Sequence, residues 1–154
     1  MRTATVHYGS FVIPLSAQRH VDAAFAYLAR DPAARSLIER AERARRPHRL
    51  RIDHHGRDAY LPGSRTIVWD PHSAMRVGNG RQSPALGLAH ELDHALANPR
   101  RFDRLVERDE PGYDNAEERR VITGLEHRVA RTLHEAVRHD HRGTLYDVRE
   151  ATMR

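Results

Sequence analysis

Apolar positions near the N-terminus recur at strand spacing: Thr3 to Leu15 mixes β-branched and aromatic residues, among them Val6, Tyr8, Phe11, Val12 and Ile13. This pattern predicts one or two strands, broken at Gly9-Ser10. Val21, Ala24, Phe25 and Leu28 then fall at helical spacing, predicting a helix that ends near Arg30. Asp31-Pro32 supplies a cap and a first-turn proline for a second helix bearing Leu37, Ile38 and Ala41. Three short strand segments follow, 50–52, 59–61 and 66–69, separated by His55-Gly56 and Pro62-Gly63, so a small meander is predicted. Asp70-Pro71 and Gly78-Asn79-Gly80 read as loops.

The second half is helical in pattern. Ser83 is a good N-cap, Pro84 fits the first helical position, and Asn98-Pro99 stops the helix just past Leu96. Leu88, Leu92, Ala95 and Leu96 make one apolar side of that helix, while Gly87, His90, Glu91 and His94 fall on or near another. Glycine in a helix interior costs about 1 kcal/mol relative to alanine, so Gly87 implies that something approaches closely one turn before His90. After Pro99 a short helix and a loop are expected, punctuated by Pro111-Gly112. A final long helix is predicted from about Asn115 to Val137, on the stripe Ile122, Leu125, Val129, Leu133 and Ala136 that begins at Glu118. The expectation is an α+β fold in a single domain, 1–154, with a small antiparallel or mixed sheet packed on the His90 helix and on the long C-terminal helix.

The chemistry sits in His90-Glu91-Leu92-Asp93-His94, which spells H-E-x-x-H. Side chains four apart on a helix lie one above the other, so two imidazoles can serve one tetrahedral ion. Glu91 is rotated to the side of that ion, where it can take a proton from water. The chain has no cysteine, which excludes both disulfides and thiolate metal sites and leaves His and carboxylate ligands. A catalytic zinc wants three protein ligands, and Glu117 and Glu118 on the next long helix are the candidates for the third. Asp114 with Glu117, or Asn115 with Glu118, also has capping-box spacing. With Asp114 as cap, Glu117 closes the box and Glu118 is free for metal; helical phase favours Glu118, with Glu117 as the alternative. His139-Asp140-His141 after the last helix can reach a pocket and steady an oxyanion, whereas His54-His55, His127 and His134 read as surface residues.

All 26 basic residues are arginine, the net charge is +5 and the pI is near 10.3. Such a balance fits nucleic acid, an anionic surface or an acidic protein. Aromatics are few, however, and the densest basic run, Arg40 to Arg51, is preceded by Glu39 and interrupted by Glu42 as a solvated face would be. Complete absence of lysine reads as codon bias or as escape from lysine-directed tagging inside a foreign cell. The N-terminal stretch lacks a basic head followed by an apolar block, and no segment has the length to cross a bilayer. A soluble, cytoplasmically made protein is expected, and any export would use a dedicated secretion system.

The second half resembles the zinc metallopeptidase effectors of peptidase family M91, a group that includes NleD- and HopH-type effectors and domains ending Rhs-like toxins. The resemblance rests on Thr66-Ile67-Val68-Trp69-Asp70-Pro71, on Ser83 to Leu96, on Glu117 through Glu126 and on Arg138 to Gly143. It implies a zincin-like fold, Zn2+ held by His90, His94 and a glutamate of the Glu117-Glu118 pair, and Glu91 as base. Arg138 and His141 match tail positions of such domains and are expected in the catalytic set. This chain carries Asp93 where an apolar residue is common. The implied function is cleavage of a protein substrate in a target cell, by a monomer that has a delivery or immunity protein as partner. Neither nucleic acid nor membrane is then a partner. The alternatives are an arginine-rich nucleic-acid-binding domain and a zincin-like domain that binds metal without turnover.

Overall fold

The computed structural model describes residues 2–154. The expected N-terminal strands form a hairpin, β1 (Thr5–Tyr8) and β2 (Phe11–Pro14), whose turn needs the positive φ of Gly9. The chain then runs through α1 (Gln18–Leu28) and α2 (Pro32–Arg43) to β3 (His48–Ile52). Asp31 caps α2 as expected, accepting the Ala34 N–H at 2.8 Å. This helical crossover lets β3 lie parallel to β2, an arrangement no short turn permits.

The predicted meander is corrected by the next two strands, β4 (Ala59–Leu61) and β5 (Thr66–Trp69). β5 inserts parallel beside β3, and β4 pairs only with β5, so the sheet order is β1-β2-β3-β5-β4. Burial supplies the reason: Ile67, Val68 and Trp69 are all covered, as in a central strand, whereas Leu61 is exposed at the edge. The linker from β3 to β4 has room for this detour and is pinned by Asp53, which accepts the N–H groups of His55 and Arg57.

Two segments expected as loops or left without structure are strands. β6 (Ser73–Val77) and β7 (Gly80–Gln82) form a hairpin, and β10 (Thr144–Asp147) pairs with β6 in a three-stranded sheet. Between them come α3 (Pro84–Ala95), α4 (Pro99–Val106) and a two-residue ribbon of β8 (Asp109–Glu110) and β9 (Asp114–Asn115). One continuous helical run follows: α5 (Ala116–Val121), a wider π turn (Ile122–Glu126) and α6 (His127–Thr132).

That run ends at Thr132, short of the expected Val137. His134 takes a positive φ and the Glu135 N–H reaches back to the Ala130 carbonyl at 2.8 Å, a left-handed helix stop. The released Glu135 carboxylate accepts both the backbone N–H and the hydroxyl of Ser83, at 2.6 and 2.7 Å, so it clamps the start of α3. Helices α1, α2 and α3 cover one face of the larger sheet, burying Phe11, Ile13, Leu50, Ile67 and Trp69 against Leu28, Leu37, Leu86, Leu88 and Leu92. Among the described residues no helix is long and apolar enough to cross a membrane.

One core residue titrates. His48 is only 2% exposed, and among the described residues neither ring nitrogen has a hydrogen-bond partner. Burial lowers its pKa from 6.5 to about 4, and the nearby Arg65 charge adds to this. The unfolded chain therefore takes up this proton near 6.5 and the folded chain only near 4, so between those values acid favours unfolding. His48→Leu is expected to flatten the loss of stability between about pH 6.5 and about pH 4, read as urea midpoints. A loss as steep as in the wild type would assign it to other groups.

Candidate metal centre

The H-E-x-x-H residues lie on α3, the most enclosed helix of the fold, with His90, Glu91 and His94 all buried. Its start is built locally as expected: the Ser83 hydroxyl accepts the Leu86 N–H and Pro84 opens the first turn. One helical turn apart, the His90 and His94 rings bring their Nε2 atoms to 3.0 Å. Glu118 closes the group, one carboxylate oxygen 2.9 Å from His90 Nε2 and the other 3.1 Å from His94 Nε2. The three side chains can offer ligand atoms that all lie within 4.8 Å of one another, so the cluster could hold a metal ion.

The donor set passes a test of fit. Tetrahedral zinc with bonds of about 2 Å needs ligand atoms roughly 3.3 Å apart, close to the spacing of these two nitrogens and one carboxylate. The charge balance points the same way. Burial opposes charge on His90, yet the carboxylates of Glu118 and Glu126 outweigh it and raise its pKa to about 10. His94 is raised by the same balance, and the Glu118 carboxyl is held well below its usual range against burial. A cage that draws positive charge onto buried imidazoles suits a cation equally well.

Each histidine is also gripped from behind. His90 Nδ1 lies 2.6 Å from Glu126, and Arg138 holds that carboxylate through two bonds of 2.7 and 2.9 Å. His94 Nδ1 lies 2.7 Å from Glu117, which Arg120 holds in the same two-bond manner at 2.7 and 2.9 Å. Asp93 in turn accepts from Arg120 at 3.1 Å, which accounts for an acid at this position of the motif. Carboxylates placed on the far ring nitrogen fix the tautomer and leave Nε2 free for a metal. Glu126→Gln is expected to weaken the binding of a divalent metal ion by about 10- to 100-fold, measured by chelator competition, with the fold retained by circular dichroism. Unchanged affinity would make the Glu126–Arg138 pair structural only.

Geometry on the long helix decides which carboxylate faces inward. Asn115, not Asp114, caps α5, accepting the Glu118 N–H at 2.9 Å, while Asp114 sits at a positive φ in the turn before it. Glu118 therefore joins the histidine nitrogens and Glu117 stands behind His94. Eight residues on, a regular helix would carry Glu126 about 80° around the axis from Glu118. The π turn adds one residue to the circuit and brings it back to roughly 20°, onto the same line as Glu118 and against His90.

Glu91 is the buried carboxylate of the group with no hydrogen-bond partner among the described residues, and it lines a cleft of about 250 Å³. His141 lines the same cleft, its Nδ1 bonded to Asp114 and its Nε2 3.4 Å from Glu118. Asp58 faces them, and burial pushes its carboxyl up to about 8, the negative charges of Glu91 and Asp70 adding to the effect and the Asp70 N–H opposing it. Asp58 also explains Gly87, where an added Cβ would meet its carboxylate oxygen at 2.9 Å.

Of the residues singled out from the chain, His90, Glu91, His94, Glu118 and His141 thus converge, and Arg138, bonded to Glu126, lines the cleft beside them. His139, His54 and His55 are exposed and stay outside the site. Motif and spacing assign no role to Glu126 or Arg120. Glu126 does carry a legible signal, an acid on the buried phase of Ile122, Val129 and Leu133; Arg120 carries none. Comparison with protein-family models, with curated proteins and with solved structures found no match.

Proposed function

We propose that this chain is a zinc-dependent metallopeptidase with a zincin-like centre, acting as an effector or toxin on a protein of a target cell. The observation that carries the reading is the convergence of His90, His94 and Glu118 beside an unpaired, cleft-lining Glu91. His90, His94 and Glu118 would hold the ion. Zinc at such a site supplies Lewis acidity, which makes water acidic near neutral pH and polarises a carbonyl. Glu91 takes the proton of the attacking water and returns it to the leaving amine. His141, which lines the cleft, donates to the oxygen of the carbonyl under attack. Glu117 and Glu126, with Arg120 and Arg138, hold the histidines in place.

Delivery into a target cell is supported by the resemblance of the segments between Thr66 and Gly143 to effector peptidases. The nucleic-acid reading draws less support: in the basic run, Arg43 pairs with Glu39 and Arg40 donates to the Leu96 carbonyl. The test is proteome-wide mapping of new protein termini in cells expressing the wild type or Glu91→Gln. Cleavages restricted to the wild type are expected, and identical termini in both would overturn the reading.

A further inference from the structure

A second cleft, of about 160 Å³, lies on the His94 side of the centre and shares Asp58, Glu91 and His141 with the first. Its walls are Ala59 and Tyr60 of the edge strand β4 and Phe102 and Val106 of α4. Tyr60 and Phe102, edge to face at 5.7 Å, also border an outer cavity of about 280 Å³, and His94 backs both spaces. The two spaces adjoin along Tyr60, Phe102 and His94, and the outer one is framed by Arg46, Arg65 and the Pro62-Gly63 turn.

That pocket is cationic and preset. Arg65 holds a positive φ of 53°, an outlier for a side-chain-bearing residue. Its guanidinium donates to the Pro47 and Arg46 carbonyls at 3.1 and 2.8 Å, which fixes the group and leaves Nη1 free. Among the described residues no carboxylate forms an ion pair with Arg46 or Arg65. Asp103 borders the cavity and is exposed, so it offsets part of the charge. His48, buried with both nitrogens unpartnered, stands behind the Tyr60 wall at 6.1 Å between ring centroids.

Building on the metallopeptidase reading, we propose that this outer pocket receives an acidic side chain of the polypeptide substrate, with Arg46 and Arg65 as the recognising groups. The spacing sets its position. Asp58, at the centre, precedes the three residues of β4 and the Pro62-Gly63 turn follows them, and an extended chain covers three residues in about 10 Å. The acidic residue therefore lies about three positions from the bond cleaved, on one side only.

The experiment uses the zinc-loaded full chain and a mixed peptide library, with products read by mass spectrometry. Peptides with Asp or Glu about three positions from the cut are expected to be preferred by about fivefold in kcat/KM, through KM. Arg46→Glu, on an exposed side chain, is expected to abolish or invert that preference, and Asp103→Asn to sharpen it. The inactive Glu91→Gln chain gives a second readout, its Kd for the preferred peptide, which Arg46→Glu should raise by a similar factor. Cleavage with no acidic preference, or a preference that Arg46→Glu leaves intact, overturns the pocket while sparing the peptidase. Zinc-loaded protein that cleaves no peptide or protein removes both.

Discussion

Glu91→Gln is expected to bind zinc at the wild-type ratio and to lose peptide-bond cleavage by about 10²- to 10⁴-fold. The substitution keeps size and polarity but removes the ability to accept a proton. Glu91 holds no hydrogen bond among the described residues, and the groups that orient His90 and His94 are Glu126 and Glu117, so the hydrogen bonds that hold the cluster stay in place in the variant. The loss should therefore fall on kcat, with KM near its wild-type value. Metal analysis together with single-substrate kinetics checks this. Cleavage at the wild-type rate by the zinc-loaded variant would remove Glu91 from the chemistry.

Zinc itself is expected to be a large part of the stability. Saturation at about a thousand times the Kd stabilises the folded chain by about 4 kcal/mol, and a chain of this size gains about 2–4 °C per kcal/mol, hence a rise in Tm of about 10 °C. Without an ion, five buried or half-buried acids, Glu91, Glu117, Glu118, Glu126 and Asp58, share one region with only Arg120, Arg138 and the imidazoles as counter-charge. Glu118→Gln should abolish most of the zinc-dependent rise, because its carboxylate faces both Nε2 atoms. Glu117→Gln should only reduce it, because that carboxylate meets His94 on the far side of the ring. Differential scanning calorimetry with zinc and with chelator compares the variants with the wild type. Equal rises in Glu118→Gln and the wild type would rule out Glu118 as a ligand.

Local agreement makes α3 legible in the chain alone: cap, first-turn proline, apolar phase and stop signal all point to one helix, and the histidine spacing follows from it. Gly87 likewise announces a close neighbour without naming Asp58. Strand order is not legible, because β3, β4 and β5 are short and their neighbours are chosen by burial of Ile67 and Trp69 rather than by the turns between them. β6, β7 and β10 escape a reading by pattern because their alternation is carried by residues such as Ala74 and Gln82, too polar or too small to stand out. The end of the last helix depends on Glu135 reaching Ser83, 52 positions away in the chain. Arg120 and Glu126 acquire their roles only through the helix run that aligns them with the histidines.

The single surplus residue in the turn 122–126 works as a phase adjuster. Upstream of it the helix serves His94 through Glu117, downstream it serves His90 through Glu126, and both arms arrive in step. An α-helix left to its own period would hold one imidazole and let the other swivel. The weaker hydrogen bonding of that turn is thus exchanged for two rings that are each held by a carboxylate, and the evenness of the cage depends on a local irregularity in the rod that supports it.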